Sequence, residues 1–203
     1  MSLRKTMCFL MLCLAACQLS CSLLPTEETS VYCYILEHAW WAQGSYRGKA
    51  LVIIADKTVS HLVAIPEMLD ASTSPEADLR AKFPTAGEDT IQDYLRKNLS
   101  STAIARLPGC QIKYKLEKAD VVNYYFDKAS THEEYEAYLG EYSDSSYSFF
   151  QRFSRVGFNR TKTEAIVYAD ERRDILAGGG GLGLLRKVHG KWQFVSVAYR
   201  WLS

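Results

Sequence analysis

The sequence predicts one α+β domain, with helices in its first two thirds and an antiparallel sheet in its last third. Apolar residues in several segments before residue 141 recur at the spacing of three and four that is typical of amphipathic helices. From Phe149 onward, apolar residues alternate with polar ones, as they do in half-buried strands. Short connections separate these last runs, and strands joined in this way pair antiparallel. We therefore expect N-terminal helices to pack on one face of a C-terminal β-meander.

The first part of the domain is predicted to mix helices with short strands. Ser30 can cap an opening helix in which Val31 and Ile35 share a face. Residues 70–88 contain two prolines and many small polar side chains, so we expect a long surface loop there. Further predicted elements are a buried strand at 50–55, an apolar segment at 61–65, a helix at 90–99, a strand at 111–116, a helical or mixed segment at 119–129, and a helix at 132–140 capped by Thr131.

The C-terminal meander is predicted to contain strands at 149–158, 164–170, 182–188 and 192–201. Residues 189–191 (HGK) indicate a tight hairpin turn, because Gly190 supplies the positive φ that such a turn needs. The segment 178–183 (GGGGLG) is similar to a phosphate-binding loop in composition, but no Gly-Lys-Ser/Thr follows and no βαβ unit surrounds it. We expect a mobile hairpin connection there, without a cofactor.

Polar residues near the ends of these strands are the candidate cleft or surface residues. Arg155 and Asn159 fall on the same side of an alternating stretch, so they could line a cleft. Alternatively, Arg155 pairs with a carboxylate and Asn159 begins a turn. Arg172 and Arg173 belong to the charged run 170–174. This run is either a solvated strand end that discourages edge pairing or a polar contact patch beside the glycine loop.

The N-terminus has the pattern of a cleaved export signal. Arg4 and Lys5 precede an uncharged apolar run at 7–16, which as a helix would be about 15 Å long, half of what a bilayer core requires. The run ends in LAAC at 14–17, which resembles the bacterial lipobox, where the cysteine accepts the lipid and becomes the new N-terminus. The predicted segments are a lipoprotein signal peptide at 1–16, a lipidated Cys17 with a flexible tether at 17–30, and the domain at 31–203.

Two alternatives to lipidation at Cys17 stay open. Cys21 is a second cysteine nearby, but Gln18 stands three places before it, where the lipobox prefers Leu. An ordinary signal peptide cut after Ala16 would require a small residue where Leu14 stands. Gln18 rather than Asp follows Cys17, and by resemblance to bacterial lipoproteins this favours onward transport to an outer membrane, if the cell has one.

The other cysteines and the histidines indicate no metal site. No CxxC pair occurs, and no two of the four histidines lie three or four residues apart. Cys33 and Cys110 can form a disulfide in an oxidising compartment, or they remain two buried thiols. No other segment approaches 18 apolar residues, so no transmembrane helix is expected.

The charge balance disfavours a nucleic-acid partner. The formal net charge is +1, and without residues 1–16 it is about −1, so the chain has no field that would capture a polyanion. The thirteen tyrosines and four tryptophans are a large aromatic supply. The tyrosines between residues 124 and 147 either pack between helix and sheet or form a surface for a peptide or glycan.

Several short stretches of the meander form a recognisable pattern: SRVGFN at 154–159, AIVY at 165–168, LLRK at 184–187, GKW at 190–192 and WLS at 201–203. Over about the last 60 residues this pattern resembles a group of uncharacterised bacterial proteins, some of them lipoproteins. The resemblance implies a fold unit and no reaction, since the group has no assigned one. By analogy of fold alone, the predicted arrangement resembles the cone-shaped domains of the nuclear-transport-factor-2 type.

Together these observations favour a lipid-anchored envelope protein that binds a protein, peptide or other envelope component without catalysing a reaction. They imply no cofactor. Neither Cys33 nor Cys110 lies in a catalytic signature such as a nucleophile elbow. Two further hypotheses stay open, a hydrolase-like enzyme and a small-ligand carrier, both with a cavity between helices and sheet. The enzyme requires at least two convergent ionisable groups in that cavity, whereas the carrier requires an apolar one.

Overall fold

The computed structural model describes residues 26–38, 51–60, 74–126, 131–140, 148–174 and 177–202. None of the helices in these ranges has the length and apolar character needed to cross a bilayer. The helices are α1 (Thr26–His38), α2 (Pro75–Lys82), α3 (Glu88–Lys97), α4 (Ala119–Phe126) and α5 (His132–Gly140). The strands are β1 (Leu51–Ala55), β2 (Lys113–Glu117), β3 (Ser148–Phe153), β4 (Gly157–Phe158), β5 (Glu164–Asp174), β6 (Ala177–Val188) and β7 (Lys191–Leu202).

The seven strands form one mixed sheet. Its order is β2-β1-β3-β5-β6-β7, and β4 pairs with β5 beside this path. The neighbours β3, β5, β6 and β7 are antiparallel, as predicted for the meander. β1 is parallel to β3, with Val52 opposite Phe149, and β2 is parallel to β1 at one edge. Parallel neighbours need long connections, and here those connections carry α2 to α5.

Helices cover both faces of the sheet. Val52 and Ile54 of β1 pack with Tyr32 of α1, whereas Ile53 between them packs with Val122 of α4. Successive side chains of a strand point to opposite faces, so α1 lies on one face and α4 on the other. α2 and α3 pack on the α4 face as well. The α+β class is confirmed. The expected placement of all helices on one face is wrong, because β1 and β5 carry apolar residues on both faces.

The opening helix begins earlier than predicted. α1 starts at Thr26 rather than after Ser30, so the predicted tether at 17–30 is wrong for residues 26–30. Glu27 and Glu28 stand in its first turn, where carboxylates interact favourably with the helix dipole, and Glu28 is fully buried. The predicted signal peptide, Cys17 and the rest of the tether lie outside the described residues, as does the apolar segment at 61–65.

A second helix occupies part of the predicted surface loop at 70–88. The Ser74 hydroxyl caps α2 by accepting a backbone N–H at 3.2 Å, and Pro75 stands at the first helical position. Leu79 and Phe83 are buried in the apolar cluster on the α4 face. The prediction was wrong because serine followed by proline is a helix start as well as a loop signal, and the tertiary contacts of only two apolar side chains decide between them.

The other elements match the prediction with shifted ends. The helices at 90–99, 119–129 and 132–140 correspond to α3, α4 and α5, and the strands at 50–55 and 111–116 to β1 and β2. Thr131 and Glu134 cap α5 reciprocally, since each side chain accepts the backbone N–H of the other, at 3.2 and 2.8 Å. His189 and Gly190 have φ angles of 50° and 80°, which confirms the hairpin turn between β6 and β7.

The glycine segment is part of a strand and not a loop. Gly178 to Gly181 pair with β5 over residues 169–172, and the sheet continues through them. Trp201 of β7 lies over this stretch, since a Cβ built on Gly180 would come within 2.7 Å of the indole nitrogen. The prediction of a mobile hairpin connection is therefore wrong. Ladder hydrogen bonds need no side chain, and the Trp201 ring occupies space that residues with a Cβ would take.

Candidate functional site

The candidate Arg155 lies in a buried ion pair and not in a cleft. It belongs to the segment 154–156, which breaks the strand predicted at 149–158 into β3 and β4. The guanidinium donates to both carboxylate oxygens of Glu28 in α1, at 2.7 and 3.1 Å. Glu28 also accepts the Val156 N–H at 2.8 Å. The hydrogen bonds to Glu28 raise the pKa of Arg155. The ion pair is the alternative that the sequence left open.

Two roles were predicted for Asn159, lining a cleft or beginning a turn, and the structure shows the turn. Its side-chain oxygen accepts the backbone N–H groups of Thr163 and Glu164, at 2.8 and 3.1 Å. Its amide donates to the Thr163 hydroxyl at 3.0 Å. Asn159 therefore closes the turn between β4 and β5, and the structure does not bring it together with Arg155 to line a cleft.

Arg172 and Arg173 do not form a common patch. They are consecutive residues of β5, so they point to opposite faces of the sheet. Arg172 is 4% exposed, with its guanidinium 5.8 Å from the centre of the Phe126 ring, and Arg173 pairs with Glu171. The solvated strand end predicted at 170–174 is wrong, because Asp170, Glu171 and Arg172 are buried within β5.

Asp170 explains how this charged run is buried. The Arg152 guanidinium donates to both its carboxylate oxygens, at 3.1 and 2.6 Å, and the Tyr168 hydroxyl donates at 3.0 Å. Arg152 also lies 3.7 Å over the Phe126 ring, and the Trp201 indole N–H donates to the Tyr168 hydroxyl at 3.3 Å. Burial raises the pKa of Tyr168 well above its usual value. This network holds the sheet centre together, and none of its residues lines the groove beside α1.

The candidate site is an open groove of about 1020 Å³ beside α1. Its walls are α1, the loop at 108–109 and the hairpin that joins β6 to β7. A groove of this size can hold several residues of an extended chain, and small-molecule sites are of similar or smaller volume. The side chains that decide its chemistry are Tyr34, Glu37, Lys187, Lys191, Trp192 and Phe194.

Aromatic rings line the groove along its length. Tyr34 stacks on His38 with ring centres 4.5 Å apart, and its ring lies 5.4 Å from that of Phe194. Trp192 is largely buried at the hairpin end, where its indole N–H donates to the Ser30 hydroxyl at 2.9 Å. Such rings supply apolar contact area with a polar edge, as recognition surfaces commonly do.

Charges of both signs stand in the same groove. Lys187 pairs with Glu27 at 2.8 Å across the hairpin end. Lys191 lies in the hairpin, and Glu37 lies near the other end of α1, where it accepts the Gln111 N–H at 3.2 Å. A lining with both signs and several rings can bind a chain that carries donors, acceptors and side chains of mixed character.

A disulfide borders the groove. Cys33 of α1 and Cys110 are bonded, with their Cα atoms 5.0 Å apart, so of the two predicted alternatives the structure contains the disulfide. The bond ties α1 to the loop at 108–109, which forms the second wall. The groove therefore keeps its width through a covalent link between two of its three walls.

Three observations on the described residues bear on the enzyme and carrier hypotheses. No group of three His, Cys, Asp or Glu among them could hold a metal ion. The groove hydroxyl of Ser30 donates to the Glu27 carbonyl at 2.8 Å and not to a histidine or carboxylate base. Three apolar clusters fill the space between helices and sheet.

The sequence did not reveal the groove, because its walls come from residues far apart in the chain. The only local signal was the GKW hairpin at 190–192, which carries one of the rings. Tyr34 and Glu37 lie on α1, and the amphipathic pattern of that helix does not predict which other segments of the chain pack beside it. No protein-family model, curated protein or solved structure was found that matches the chain.

Proposed function

We propose that this protein is an exported, lipid-anchored component of the bacterial cell envelope, held at the membrane through Cys17. The single observation that carries the proposal is the disulfide between Cys33 and Cys110. Disulfides form and persist in oxidising compartments outside the cytoplasm. The lipobox-like LAAC at 14–17 supports the same address, and Gln18 favours the outer membrane.

Within this proposal, the domain binds an extended peptide segment of another envelope protein in the groove beside α1. Three features favour a peptide. The groove is lined by aromatic rings and by both signs of charge. It borders β7, which has a strand neighbour on one side only among the described residues. A peptide can use both side-chain pockets and the main-chain groups of such an edge.

The anchor is tested by metabolic labelling with palmitate. Wild type should incorporate the label and fractionate with membranes. Cys17→Ala should abolish incorporation, whereas the matched control Cys21→Ala should leave it unchanged. Incorporation that survives Cys17→Ala, or its absence from wild type, overturns the proposed anchor.

The groove is tested with peptides of about ten residues displayed on phage. Enriched peptides are labelled and titrated against the intact protein by fluorescence anisotropy. Tyr34→Ala and Glu37→Lys should each weaken binding about five- to thirtyfold, because loss of one well-placed contact costs about 1–2 kcal/mol. The matched controls Tyr124→Ala and Glu136→Lys change exposed residues on the other face of the sheet and should leave affinity unchanged. Peptides that bind all four variants equally overturn the groove as the site.

A further inference from the structure

Two turns form a basic tip at one end of the sheet. The tip consists of residues 159–163 between β4 and β5 and of residues 188–191, which are the hairpin turn with the strand residue on each side of it. The two turns are neighbours, since the Lys187 N–H donates to the Thr163 carbonyl at 2.8 Å. Arg160, Lys162 and Lys191 are exposed there, and so is His189 between the strands of the hairpin.

The charges at this tip do not cancel. Arg186 pairs with Glu164 and Lys187 with Glu27, both at 2.8 Å. A third carboxylate, that of Asp89 at the start of α3, also contacts the tip. It accepts the backbone N–H of Arg160 at 2.8 Å.

Three cations are left over at the tip. Arg160, Lys162 and Lys191 form no ion pair with any described residue, so their charge faces solvent. The chain as a whole is close to neutral, so this concentration of cations is local to the tip.

An apolar side chain stands among these cations. Val188 begins the hairpin turn and is 41% exposed, beside Lys187 and two residues before Gly190. An exposed apolar residue at a turn flanked by basic residues has the character of a surface that touches lipid headgroups, since the cations meet phosphate and the apolar group enters the interface.

The start of α1 lies at the same end of the sheet. Along α1, successive residues contact strand residues that lie progressively further from the tip. Glu27 forms an ion pair with Lys187, and Ser30 accepts the indole N–H of Trp192. The ring of Tyr34 packs against that of Phe194. α1 therefore runs away from the tip, and its first residue, Thr26, is the one nearest to it. Cys17 precedes Thr26 by nine residues, and a chain of that length spans at most about 32 Å.

We infer that the basic tip is a membrane-contact surface that binds anionic phospholipid headgroups of the membrane in which the Cys17 lipid is inserted. The inference rests on the proposed lipid anchor. The anchor holds the tip within reach of the bilayer, so even a weak contact is populated at the high effective concentration that a short tether produces. Each cation near an anionic surface favours the contact by roughly fivefold. Asp89 offsets one of the three unpaired cations, so the tip as a whole favours the contact by about 25-fold.

The test follows the tip directly in the lipidated protein. Val188→Cys is made in a Cys21→Ser background and labelled with a polarity-sensitive fluorophore. The protein is purified with its lipid, and its acyl mass is measured before use. It is then reconstituted into phosphatidylcholine vesicles with or without 30% phosphatidylglycerol. Emission should rise and shift to the blue only with phosphatidylglycerol, and it should revert in about 0.5 M NaCl, where the screening length falls to a few ångströms.

Charge reversal identifies the surface. Arg160→Glu, Lys162→Glu and Lys191→Glu combined should abolish the emission change. The matched control reverses three exposed lysines elsewhere, Lys57, Lys113 and Lys118, and should keep the change.

Each other outcome counts against the inference in its own way. Acylated protein with the same emission in both vesicles overturns the membrane contact alone. Loss of the change in the control as well assigns it to overall charge and overturns the role of the tip. Protein without acyl mass overturns the anchor, and with it the inference.

Discussion

Removal of the Cys33–Cys110 disulfide should destabilise the domain strongly. The bond closes a loop across a sequence separation of 77 residues. In the chain-entropy account, a loop of that length lowers the entropy of the unfolded chain enough to stabilise the fold by about 4.5 kcal/mol. Domains of this kind have a free energy of unfolding of roughly 5–15 kcal/mol, so the bond accounts for a large share. For a domain of this size the loss corresponds to a fall in Tm of roughly 10–15 °C.

The assay compares urea unfolding of the wild type and of the double variant Cys33→Ala, Cys110→Ala, each with and without dithiothreitol. Alanine avoids a new polar group beside Cys33, which is buried in the apolar cluster of α1. Reductant should lower the wild-type midpoint to that of the variant and leave the variant unchanged. This internal control separates loss of the bond from other effects of the reductant.

Two results would refute the reasoning. One is alkylation of both thiols in native protein isolated from an oxidising compartment, which would mean that the bond does not form. The other is a wild-type midpoint that is insensitive to reductant although mass analysis shows the bond broken. The second result would mean that the unfolded chain is already restricted, or that α1 stays docked without the bond, and it would remove the account of how the groove keeps its width.

Three further predictions concern packing and charge. Gly157→Ala should lower the free energy of unfolding in urea by more than about 3 kcal/mol, because the new Cβ would lie 2.3–2.4 Å from backbone and Cβ atoms of α3. The control Gly140→Ala, which has open space around it, should change that free energy by less than about 1 kcal/mol. Arg155→Met should cost about 3–5 kcal/mol, since it leaves the Glu28 carboxylate buried and unpaired, and adding Glu28→Gln should recover part of that loss in a double-mutant cycle. Hydrogen bonds from the Tyr138 hydroxyl and the Lys115 ammonium lower the pKa of Glu117 to about 2. The contribution of Glu117 to stability is therefore present above pH 4.5 and is lost as pH falls toward 2. The difference in free energy of unfolding between wild type and Glu117→Gln should shrink over that range, and a difference that is constant with pH would contradict this.

The sequence predicted correctly those elements that are stabilised by contacts between residues close together in the chain. The hairpin at 189–191 is one example, since its two residues with positive φ and its flanking strands are contiguous. The reciprocal cap between Thr131 and Glu134 at the start of α5 is another. The residue types at 154–159 drew attention to Arg155 and Asn159, but their roles depended on Glu28 and Thr163, and only the first of these is distant in the chain.

The predictions that failed are those in which long-range partners reversed a local tendency. Charged residues 170–172 favour solvent by composition, yet Arg152 pairs with Asp170 from a neighbouring strand and makes its burial acceptable. Four glycines favour a loop, yet the ladder to β5 orders their backbone and Trp201 covers them.

The sequence by itself determined the class of the domain, the order of its C-terminal strands and the hairpin, and it predicts the address at Cys17. These follow from periodicity and from short motifs, which are local in the chain. The tertiary structure decided that β1 and β2 join the sheet in parallel, that helices cover both faces, and that α1 and the β6–β7 hairpin enclose a groove beside a disulfide. The physical reason is that these features are contacts between segments tens to more than a hundred residues apart, and their free energy depends on which surfaces meet, which no local pattern specifies.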